Sequence, residues 1–521
     1  MTTLPDLDSE VLAAFHAYER ALAENDLTAL DDAFVPGANA IRGDAAGLLV
    51  GHAQIQAFRN RRGGATQRTV REVHGRMLGS EHAVIVSVNE PQQGGTGLVT
   101  QVWGRCADGR WRILAAQVAA PPAAADPRIW RLVGFPLIPP SGTGALAGHS
   151  VAVKDVFEVA GFPVGAGNPA VLAEARPAAA HAAAVRVLLD AGAEVRGIAR
   201  TDEFAYSIVG ANAHYGTPPN SRAPHRLPGG SSSGPASAVA LGQASIGLGT
   251  DTAGSIRVPA SYQGLWGLRS THGLVDRTGM APLAPSFDAV GWLARDARTL
   301  ALAAQASLPP RGAAGSADDS YALCPALLET VQPEVRAAFT ERLAGWIGTG
   351  ALPTPALVDL PDPTETFEAF RVAQGAEAWQ SHGTWIREHP DALGPDVAAR
   401  FAWASTITAD EAAAARTALA RARAQIDAAL GDSTLLSPTT PTPAPLLSAD
   451  AAALDAARAA TITLTCLAPI TGRPALSVPL LHAEGVPVGL SLLGLRDTDL
   501  DLIARASALA DTDAEADTDP R

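Results

Sequence analysis

The stretch that decides the fold runs from Gly229 to Arg257. It begins with GGSSSG (residues 229–234), continues through small and apolar residues, and ends with GTDTAGSIR (residues 249–257). Small residues let a backbone turn tightly, so consecutive N–H groups of the second motif can converge on one point. An oxyanion hole for acyl transfer requires that arrangement. The stretch therefore predicts a catalytic loop, with Ser255 as a nucleophile beside its own oxyanion donors.

One lysine is the candidate proton acceptor for this serine. Lys154, in VAVKDVF, is the only lysine among 39 Lys and Arg residues. A buried ammonium can lose its proton at accessible pH, whereas a guanidinium stays charged. A serine nucleophile needs a base, and the segments around this stretch are poor in histidine. Lys154 is therefore the predicted base.

The GGSSSG motif taken alone has two other interpretations. Runs of Gly and Ser are most often flexible linkers. The motif also matches G-x-S-x-G centred on Ser232, the nucleophile elbow of α/β hydrolases. An elbow must follow a strand, yet the preceding TPPNSRAPHRLP (residues 217–228) has four prolines and is typical of a loop. The elbow is thus the weaker interpretation, and the second motif argues against a mere linker.

Composition restricts the class of protein. The chain of 521 residues is 47% hydrophobic and 18% charged, which is enough apolar material for large cores. Its net charge of -14 leaves no basic stripe to neutralise phosphates. No window offers the ~20 uninterrupted apolar residues that a membrane span needs. We expect a globular protein with no nucleic-acid or membrane partner.

Cysteine and histidine usage predicts a cytoplasmic protein without a metal or other cofactor. The three cysteines are far apart and odd in number, which suits a reducing compartment. The N-terminal MTTLPDLDSE carries acids where a secretory signal would carry Lys or Arg. The histidines that flank the predicted loop lack metal-ligand spacing and are interpreted as structural: His214, His225 and His272. Cys466 is interpreted as a buried small hydrophobe.

The first 120 residues have the pattern of a small α+β domain. Apolar residues at helical spacing predict a helix from Ser9 to Glu24, and a short helix from Leu27 to Phe34 is expected to follow. From Arg68 the pattern changes to strands, with Asp108-Gly109 as a hairpin turn. Helices followed by an antiparallel sheet are typical of an α+β unit.

Residues 1–120 resemble the AtzH-like group of NTF2-like domains. The resemblance rests on IRGD around Arg42, GHAQIQAFRNRR from Gly51, TQVWGR and GRWRILAAQV. It implies a small α+β cone that binds small molecules or forms a homodimer. Tyr18 and Arg42 are candidate pocket residues, since the planar fork of Arg suits a carboxylate. In the competing interpretation Tyr18 belongs to the core and Arg42 pairs with surface acids.

The rest of the chain divides into three parts. Residues 121–148 are rich in Pro, Ala and Gly and are expected to form a partly ordered linker. Over residues 149–510, alternating strand and helix patterns predict an α/β domain with a central mixed sheet flanked by helices. Thr408 and Glu411 form a capping-box pattern at one helix start. Residues 511–521 are acidic and are expected to be disordered.

Residues 149–510 resemble the amidase signature family. The matching motifs are ARTDEFAYS from Ala199, NAHYGTPPN from Asn212, SIRVPASYQGLWGLRSTHG from Ser255, SFDAVGWLARD from Ser286 and SPTTPTPAP from Ser437. The resemblance implies a Ser-cisSer-Lys amidohydrolase, with Lys154 as the catalytic lysine, Ser231 as the bridging serine and Ser255 as the nucleophile.

The family mechanism can be transferred to these positions. It implies that neutral Lys154 takes a proton from Ser255 through Ser231, and that an acyl-enzyme forms on Ser255. It also implies a cis peptide between Gly230 and Ser231. The resemblance assigns the oxyanion hole to the backbone of Thr252, Ala253, Gly254 and Ser255, and supporting roles to Ser232, Asp251 and Arg257. Arg269 is expected to pair with an acid rather than with substrate.

The expected function is hydrolysis of the C–N bond of a small amide to a carboxylate and ammonia or an amine. Two alternatives stay open: a catalytically silent binding protein, and an amidotransferase-type subunit that depends on a second protein. The substrate is also open. Several motifs resemble those of indole-3-acetamide-type amidases, whereas the AtzH-like domain points to small carboxylated ureas and biurets.

Overall fold

The computed structural model describes residues 7–44, 47–61, 68–91, 97–119, 125–309 and 320–517. The chain divides into two compact units, Met1–Ala124 and Ala125–Arg521. The boundary falls within four residues of the predicted end of the first domain.

The first unit is a small α+β domain. Its described elements are α1 (Ser9–Glu24), α2 (Leu27–Asp32), β1 (Ile41–Asp44), β2 (Gly47–Val50), α3 (His52–Arg61), β3 (Arg68–Met77), β4 (His82–Pro91), β5 (Gly97–Arg105) and β6 (Trp111–Ala119). The strands form one sheet in the order β2-β1-β6-β5-β4-β3, and only β1 and β6 run parallel. The predicted helix from Ser9, the strands after Arg68 and the turn at Asp108-Gly109 are confirmed.

Helix α1 shows why this sequence folds as predicted. Asp8 caps the helix by accepting a hydrogen bond from the Glu10 N–H at 2.8 Å. Val11, Phe15 and Tyr18 recur at helical spacing and are buried in the core of the unit. The apolar face therefore packs on the sheet side of the domain core, together with Trp103 and Ile113.

The second unit is built on an 11-stranded mixed sheet in the order β14-β13-β15-β17-β16-β11-β12-β10-β8-β9-β7. Its strands are β7 (Trp130–Ile138), β8 (Ser150–Lys154), β9 (Glu194–Ala199), β10 (Ile246–Asp251), β11 (Trp266–Arg269), β12 (Ala289–Ala294), β13 (Tyr321–Leu323), β14 (Ala356–Leu357), β15 (Thr434–Pro438), β16 (Ala475–Ala483) and β17 (Val486–Leu493). Strand β8 runs parallel to β9 and β10, while β10 and β12 are antiparallel. The predicted mixed sheet is confirmed.

Some helices of this unit pack against the sheet, and others pack on one another. They are α4 (Pro169–Glu174), α5 (Ala183–Asp190), α6 (Ser233–Ala240), α7 (Arg257–Gln263), α8 (Ala297–Ser307), α9 (Pro325–Glu329), α10 (Pro333–Thr349), α11 (Pro363–Glu388), α12 (Pro395–Ala404), α13 (Ala409–Leu430), α14 (Ala451–Thr465), α15 (Leu467–Thr471) and α16 (Asp499–Asp517). The capping box at Thr408 and Glu411 is present at the start of α13. The short helices α6 and α7 contact the centre of the sheet and each other.

Part of the segment expected to be a linker is a strand. β7 pairs antiparallel with β9 at the edge of the sheet, and Trp130 donates a hydrogen bond to Gln243 at 2.6 Å. An edge strand needs hydrogen bonds on one side only, so it tolerates Pro136, which lies where the register shifts. The expectation of a partly ordered linker therefore missed this regular strand, although the apolar residues Trp130 and Leu132 do dock on the sheet. Residues 121–124 lie outside the described ones.

The acidic tail also differs from the expectation. Helix α16 continues through Asp517, and residues 518–521 lie outside the described ones. Alanines alternate with the acids in this stretch and favour a helix. The earlier part of the same helix packs in the core through Leu502 and Leu509. Among the described residues, one helical stretch, Ala451–Thr471, is long and apolar enough to cross a membrane. Core helices of globular proteins meet the same criterion, and this stretch contributes Ile462 and Leu464 to the main core.

Candidate active site

Two parallel strands bring the predicted base and the predicted nucleophile loop together. Lys154 is the last residue of β8, and Asp251 is the last residue of β10. Strands β8 and β10 are adjacent and parallel, so their carboxyl ends lie at the same edge of the sheet. The loop that follows β10 contains Ser255 and leads directly into α7.

Lys154 is completely buried and contacts two hydroxyl groups. Its Nζ donates to Ser231 Oγ at 2.8 Å and to Thr250 Oγ1 at 2.7 Å. Burial lowers the pKa of Lys154 to about 7, although the negative charges of Asp202, Asp251 and Asp288 oppose this shift. A large fraction of Lys154 is therefore a neutral amine near pH 7.

The loop that carries Ser231 is held through its backbone. The peptide between Gly230 and Ser231 is cis, as the family resemblance implies. The Ser231 carbonyl accepts hydrogen bonds from Thr201 Oγ1 at 2.9 Å and from the Asp202 N–H at 3.2 Å. A Cβ on Gly230 would lie 2.3 Å from Asp202 Oδ2, so only glycine fits there. This packing fixes the position of the Ser231 hydroxyl beside Lys154.

Ser232 joins the two predicted motifs. Its N–H donates to the Ser255 carbonyl at 3.1 Å, and its hydroxyl donates to the Thr250 carbonyl at 3.3 Å. Ser255 itself is 2% exposed. The supporting role assigned to Ser232 is therefore backbone alignment, since it ties the Ser231 turn to the start and the end of the nucleophile loop.

The backbone donors of the nucleophile loop are fewer than expected. The Gly254 N–H donates to Asp251 Oδ1 at 2.9 Å, so Gly254 is not free to bind an oxyanion, and its assignment to the oxyanion hole is corrected. Asp251 turns back towards the loop because it caps the turn that leads into α7. Over the part of the chain that the structure describes, the N–H groups of Thr252, Ala253 and Ser255 have no protein acceptor. These three remain the candidate oxyanion donors.

Asp251 and Arg257 form the ion pair that supports this loop. Arg257 donates to both carboxylate oxygens of Asp251, at 3.0 Å and 2.8 Å. Burial would raise the pKa of Asp251, but the charge and hydrogen bonds of Arg257 and the charge of Arg269 outweigh it and lower this pKa. Arg269 donates to the Asp251 backbone carbonyl and also to Asp251 Oδ1 at 3.4 Å, so Arg269 pairs with an acid, as expected.

Several supporting residues were not identified from the sequence. Thr252 Oγ1 donates to Asp288 at 2.6 Å, and Thr465 Oγ1 donates to the Ala253 carbonyl at 2.5 Å. Asp202 accepts a hydrogen bond from Ser233 Oγ at 3.0 Å. Asp202 and Asp288 lie inside the motifs ARTDEFAYS and SFDAVGWLARD, so the family resemblance held a signal for them. Thr465 lies on α14 in no quoted motif, and only the fold brings it to the loop.

The structure places Tyr18 and Arg42 in the first unit. Tyr18 is buried, accepts a hydrogen bond from Arg59 at 2.8 Å and packs edge-on against Phe34 and Trp103. Arg42 pairs with Asp44 at 2.7 Å. Both contacts agree with the competing interpretation, in which the tyrosine belongs to the core and the arginine is ion-paired.

The histidines and the cysteine that the sequence analysis interpreted as structural make contacts that agree with this interpretation. His214 contacts Glu203 at 2.8 Å, and His272 contacts the Pro285 carbonyl at 3.1 Å. In the described ranges, no group of three or more His, Cys, Asp or Glu side chains has the arrangement of a metal site. Cys466 is completely buried, and burial raises the pKa of its thiol to about 12, which confirms it as a small core residue.

Known proteins resemble both units. The amidase family model matches residues 140–503, and the AtzH-like family model matches residues 2–122. Amidase 1 from Arabidopsis thaliana is 36% identical over 71% of this chain and 94% of its own length. The 2-amino-5-chloromuconic acid deaminase of Comamonas testosteroni is 34% identical over 67% of this chain and 78% of its own. A crystal structure of an amidase is 33% identical with a TM-score of 0.64, and the match covers 71% of this chain and 85% of that one.

The chain therefore belongs to the amidase family and carries an AtzH-like domain at its N-terminal end. Its enzyme class is amide hydrolase, the activity for which the relatives are named. The site described above lies entirely within the region that matches the amidase model.

Proposed function

We propose that this protein hydrolyses small amides through a Ser-cisSer-Lys triad of Lys154, Ser231 and Ser255. The observation that carries the proposal is the buried contact of 2.8 Å between Lys154 Nζ and Ser231 Oγ. A lysine in this position with a pKa of about 7 can act as a base at neutral pH. Among the described residues, no histidine or carboxylate contacts the Ser231 hydroxyl as an alternative base.

The contact between Lys154 and Ser231 supports the first proton transfer. When Lys154 is neutral, Nζ donates one N–H to Thr250 Oγ1, 2.7 Å away, and turns its lone pair to accept the hydrogen of the Ser231 hydroxyl. Lys154 takes the Ser231 hydroxyl proton while Ser231 takes the proton of Ser255. Ser255 Oγ then attacks the carbonyl carbon of the amide and forms a tetrahedral intermediate.

The oxyanion of this intermediate needs preorganised donors. The N–H groups of Thr252, Ala253 and Ser255 are available for it, and Asp251 with Arg257 holds the loop in place. Donors of this kind lower the barrier because they are oriented before charge develops. Thr465 anchors the Ala253 carbonyl, which keeps the neighbouring N–H groups from rotating away.

The remaining steps balance the reaction. The C–N bond breaks, the proton on Lys154 returns through Ser231 to the leaving nitrogen, and ammonia or an amine departs. Water then attacks the ester carbonyl of the acyl-enzyme, giving its proton to the same relay. The products are a carboxylate and the free Ser255 hydroxyl. No cofactor takes part in any of these steps.

The setting of the enzyme is also a proposal. Three free cysteines, Cys106, Cys324 and Cys466, support a cytoplasmic protein. The partner is a small-molecule amide, and a homodimer formed through the AtzH-like domain is the assembly to test. Light scattering on the full-length protein measures its mass directly.

The test of the proposal is ammonia release from arylacetamides, aliphatic amides and carboxylated ureas. We expect turnover by the wild type and a loss of about 10⁴-fold or more for Ser255→Ala, Ser231→Ala and Lys154→Ala. Ser448→Ala is the matched control because Ser448 is exposed and lies outside the site. Near-wild-type turnover by any of the three variants contradicts the triad.

A covalent probe separates the mechanism from the choice of substrate. A fluorophosphonate should label the wild type on Ser255, as read by mass spectrometry, and should not label Ser255→Ala. If the probe labels Ser255 but no amide in the panel is hydrolysed, the result favours the amidotransferase-type alternative. That alternative predicts glutaminase activity only in the presence of a second protein. Absence of labelling contradicts an activated Ser255.

A further inference from the structure

Residues 201–205 hold Ser231 by its backbone carbonyl. Thr201 Oγ1 and the Asp202 N–H both donate hydrogen bonds to this carbonyl, at 2.9 Å and 3.2 Å. The Asp202 carboxylate lies against the same turn and leaves no room for a Cβ on Gly230. The position of the Ser231 hydroxyl therefore depends on the conformation of residues 201–205.

The backbone of this segment is strained. Phe204 and Ala205 have φ angles of 50° and 55°, in the left-handed region that residues other than glycine rarely adopt. Ala166, whose carbonyl accepts a hydrogen bond from the Phe204 N–H at 2.8 Å, has a φ of 48°. Buried residues persist in this conformation only where the surrounding contacts fix them. Such contacts are therefore expected on the neighbouring residue, Glu203.

The carboxylate of Glu203 supplies these contacts. The residue is buried, with 2% of its surface exposed. Its Oε1 accepts a hydrogen bond from Asn168 Nδ2 at 2.6 Å and lies 2.8 Å from His214 Nε2. Its Oε2 accepts a hydrogen bond from the Gly394 N–H at 3.0 Å. Hydrogen bonds to a carboxylate are stronger than those between neutral groups, so this one side chain ties residues 201–205 firmly to three other parts of the chain.

The parts of the chain that meet at Glu203 are also tied to one another. Asn168, the residue before α4, donates a second hydrogen bond to the Ala392 carbonyl at 2.8 Å. In the loop that carries the histidine, Asn212 Nδ2 donates to the Thr201 carbonyl at 3.0 Å. A buried polar network whose members are hydrogen-bonded in this way makes its surroundings rigid. Glu203 lies at the centre of this network, next to the residues that hold the Ser231 turn.

We propose that Glu203 is a positioning residue: its carboxylate fixes residues 201–205, and these residues hold the Ser231 hydroxyl beside the lysine. This inference rests on the proposed function of Lys154, Ser231 and Ser255. Among the described residues, the Glu203 carboxylate contacts none of these three side chains, so it acts on them through the backbone of residues 201–205. Without the carboxylate, this backbone can leave its left-handed conformation and release the Ser231 carbonyl, which misaligns the proton relay.

Kinetics separate a positioning role from substrate binding. Glu203→Ala removes all three contacts of the carboxylate. We expect it to lower kcat about 10- to 100-fold and to leave KM within about threefold, on any amide that the wild type hydrolyses. Glu203→Gln keeps an acceptor for part of these contacts, so its kcat should lie between those of Glu203→Ala and the wild type. The rate at which a fluorophosphonate labels Ser255 should fall in the same order.

Two control variants account for lost charge and for lost stability. Glu341→Ala removes a carboxylate at an exposed position of α10 and should behave like the wild type. Leu343→Ala removes a buried side chain on the same helix, so it destabilises the fold outside the segments that meet at Glu203. All variants are compared at a temperature at which urea unfolding shows each of them to be folded. There Leu343→Ala should keep the labelling rate of the wild type.

Hydrogen exchange tests the positioning without turnover. The Asp202 N–H donates to the Ser231 carbonyl, and the Gly230 N–H donates to the Ile208 carbonyl at 2.8 Å. Exchange of these two amides therefore reports whether the turn is held in place. Mass spectrometry should show about tenfold or faster exchange of both amides in Glu203→Ala than in the wild type. Peptides from α13 should exchange equally in the two proteins.

The outcomes separate the two proposals. Faster exchange in Glu203→Ala, together with a wild type that neither hydrolyses amides nor reacts with the fluorophosphonate, supports the positioning of Ser231 and contradicts the proposed function. Unchanged exchange, or unchanged kcat and labelling, in Glu203→Ala overturns the positioning role and leaves the triad intact. A rise in KM alone also overturns it, since Glu203 then acts on substrate binding. An equal loss of labelling in Leu343→Ala overturns it as well, because stability alone then explains the effect.

Discussion

The site contains two buried basic side chains, Lys154 and Arg257, and their surroundings have opposite effects on their charge. Arg257 makes two hydrogen bonds to the carboxylate of Asp251, so both groups stay charged and the loop is fixed. Among the residues that the structure describes, Lys154 donates only to the hydroxyls of Ser231 and Thr250. Without a carboxylate in contact, burial dominates and the pKa of Lys154 falls to about 7. The site makes a base by keeping carboxylates out of contact with its lysine.

The largest effect should come from making the two cations alike. Lys154→Arg places a group that cannot lose its proton where the base is needed. We expect kcat/KM to fall about 10⁴-fold, measured by ammonia release, while circular dichroism shows a folded protein. Turnover close to that of the wild type would show that a neutral residue 154 is not required.

Removing the carboxylate that pairs with Arg257 should lower the stability of the fold as well as the rate of catalysis. Asp251→Asn leaves Arg257 and Arg269 buried without a countercharge. We expect the free energy of unfolding to fall by about 3–5 kcal/mol, measured by urea unfolding. Asp391→Asn, at an exposed position, is the control and should change it by less than about 0.5 kcal/mol. A small change at Asp251 would mean that water or another group compensates the two arginines.

The pKa of Lys154 predicts how stability depends on pH. The pKa is about 7 in the folded protein and about 10.4 in an unfolded chain. Between these values the unfolded chain binds more protons, so the stability of the wild type relative to Lys154→Met should rise with pH. We expect a gain of roughly 2 kcal/mol between pH 7 and pH 9, measured by urea unfolding of both proteins. A constant difference over this range contradicts a lowered pKa.

The smallest expected effect concerns the second hydroxyl at Lys154. Thr250→Val removes an acceptor that stabilises the protonated ammonium, so the pKa of Lys154 should fall further. The rising limb of kcat/KM against pH should shift down by up to about one pH unit. Thr340→Val, on the exposed face of α10, should leave the profile unchanged. An upward shift would mean that Thr250 instead donates to the neutral amine.

The prediction of the fold from sequence failed where a local pattern conflicted with its place in the sheet. Pro and Ala between residues 121 and 148 are typical of a linker, but Ile129 and Trp130 are buried beside β9 as an edge strand forms. The prediction of a disordered acidic tail failed for a similar reason. Leu509 anchors α16 in the core, and the helix continues from there into the acidic residues. Both errors arise because neighbouring elements supply hydrogen bonds and apolar surface that a local window of sequence does not contain.

The sequence predicted some residues of the candidate site correctly and missed others. Lys154 was distinguished by residue type, Ser255 by a motif of small residues and Ser231 by the family resemblance, so all three were named from the sequence. The assignment of Gly254 was wrong because a donor that looks free in the sequence is taken by Asp251, three residues earlier. Thr465 carried no motif, since its contribution depends on the face of α14 that meets the nucleophile loop.

By itself the sequence determined the chemistry that is available: one lysine, two serines in motifs of small residues, an Asp and Arg pair beside them, and a family resemblance over both units. Only the tertiary structure decided which charges are in contact. Adjacent parallel strands place Lys154 beside Ser231, and no carboxylate among the described residues is in direct contact with its ammonium group. The pKa of a buried charge depends on the groups around it in space, and residues far apart in the chain provide those groups.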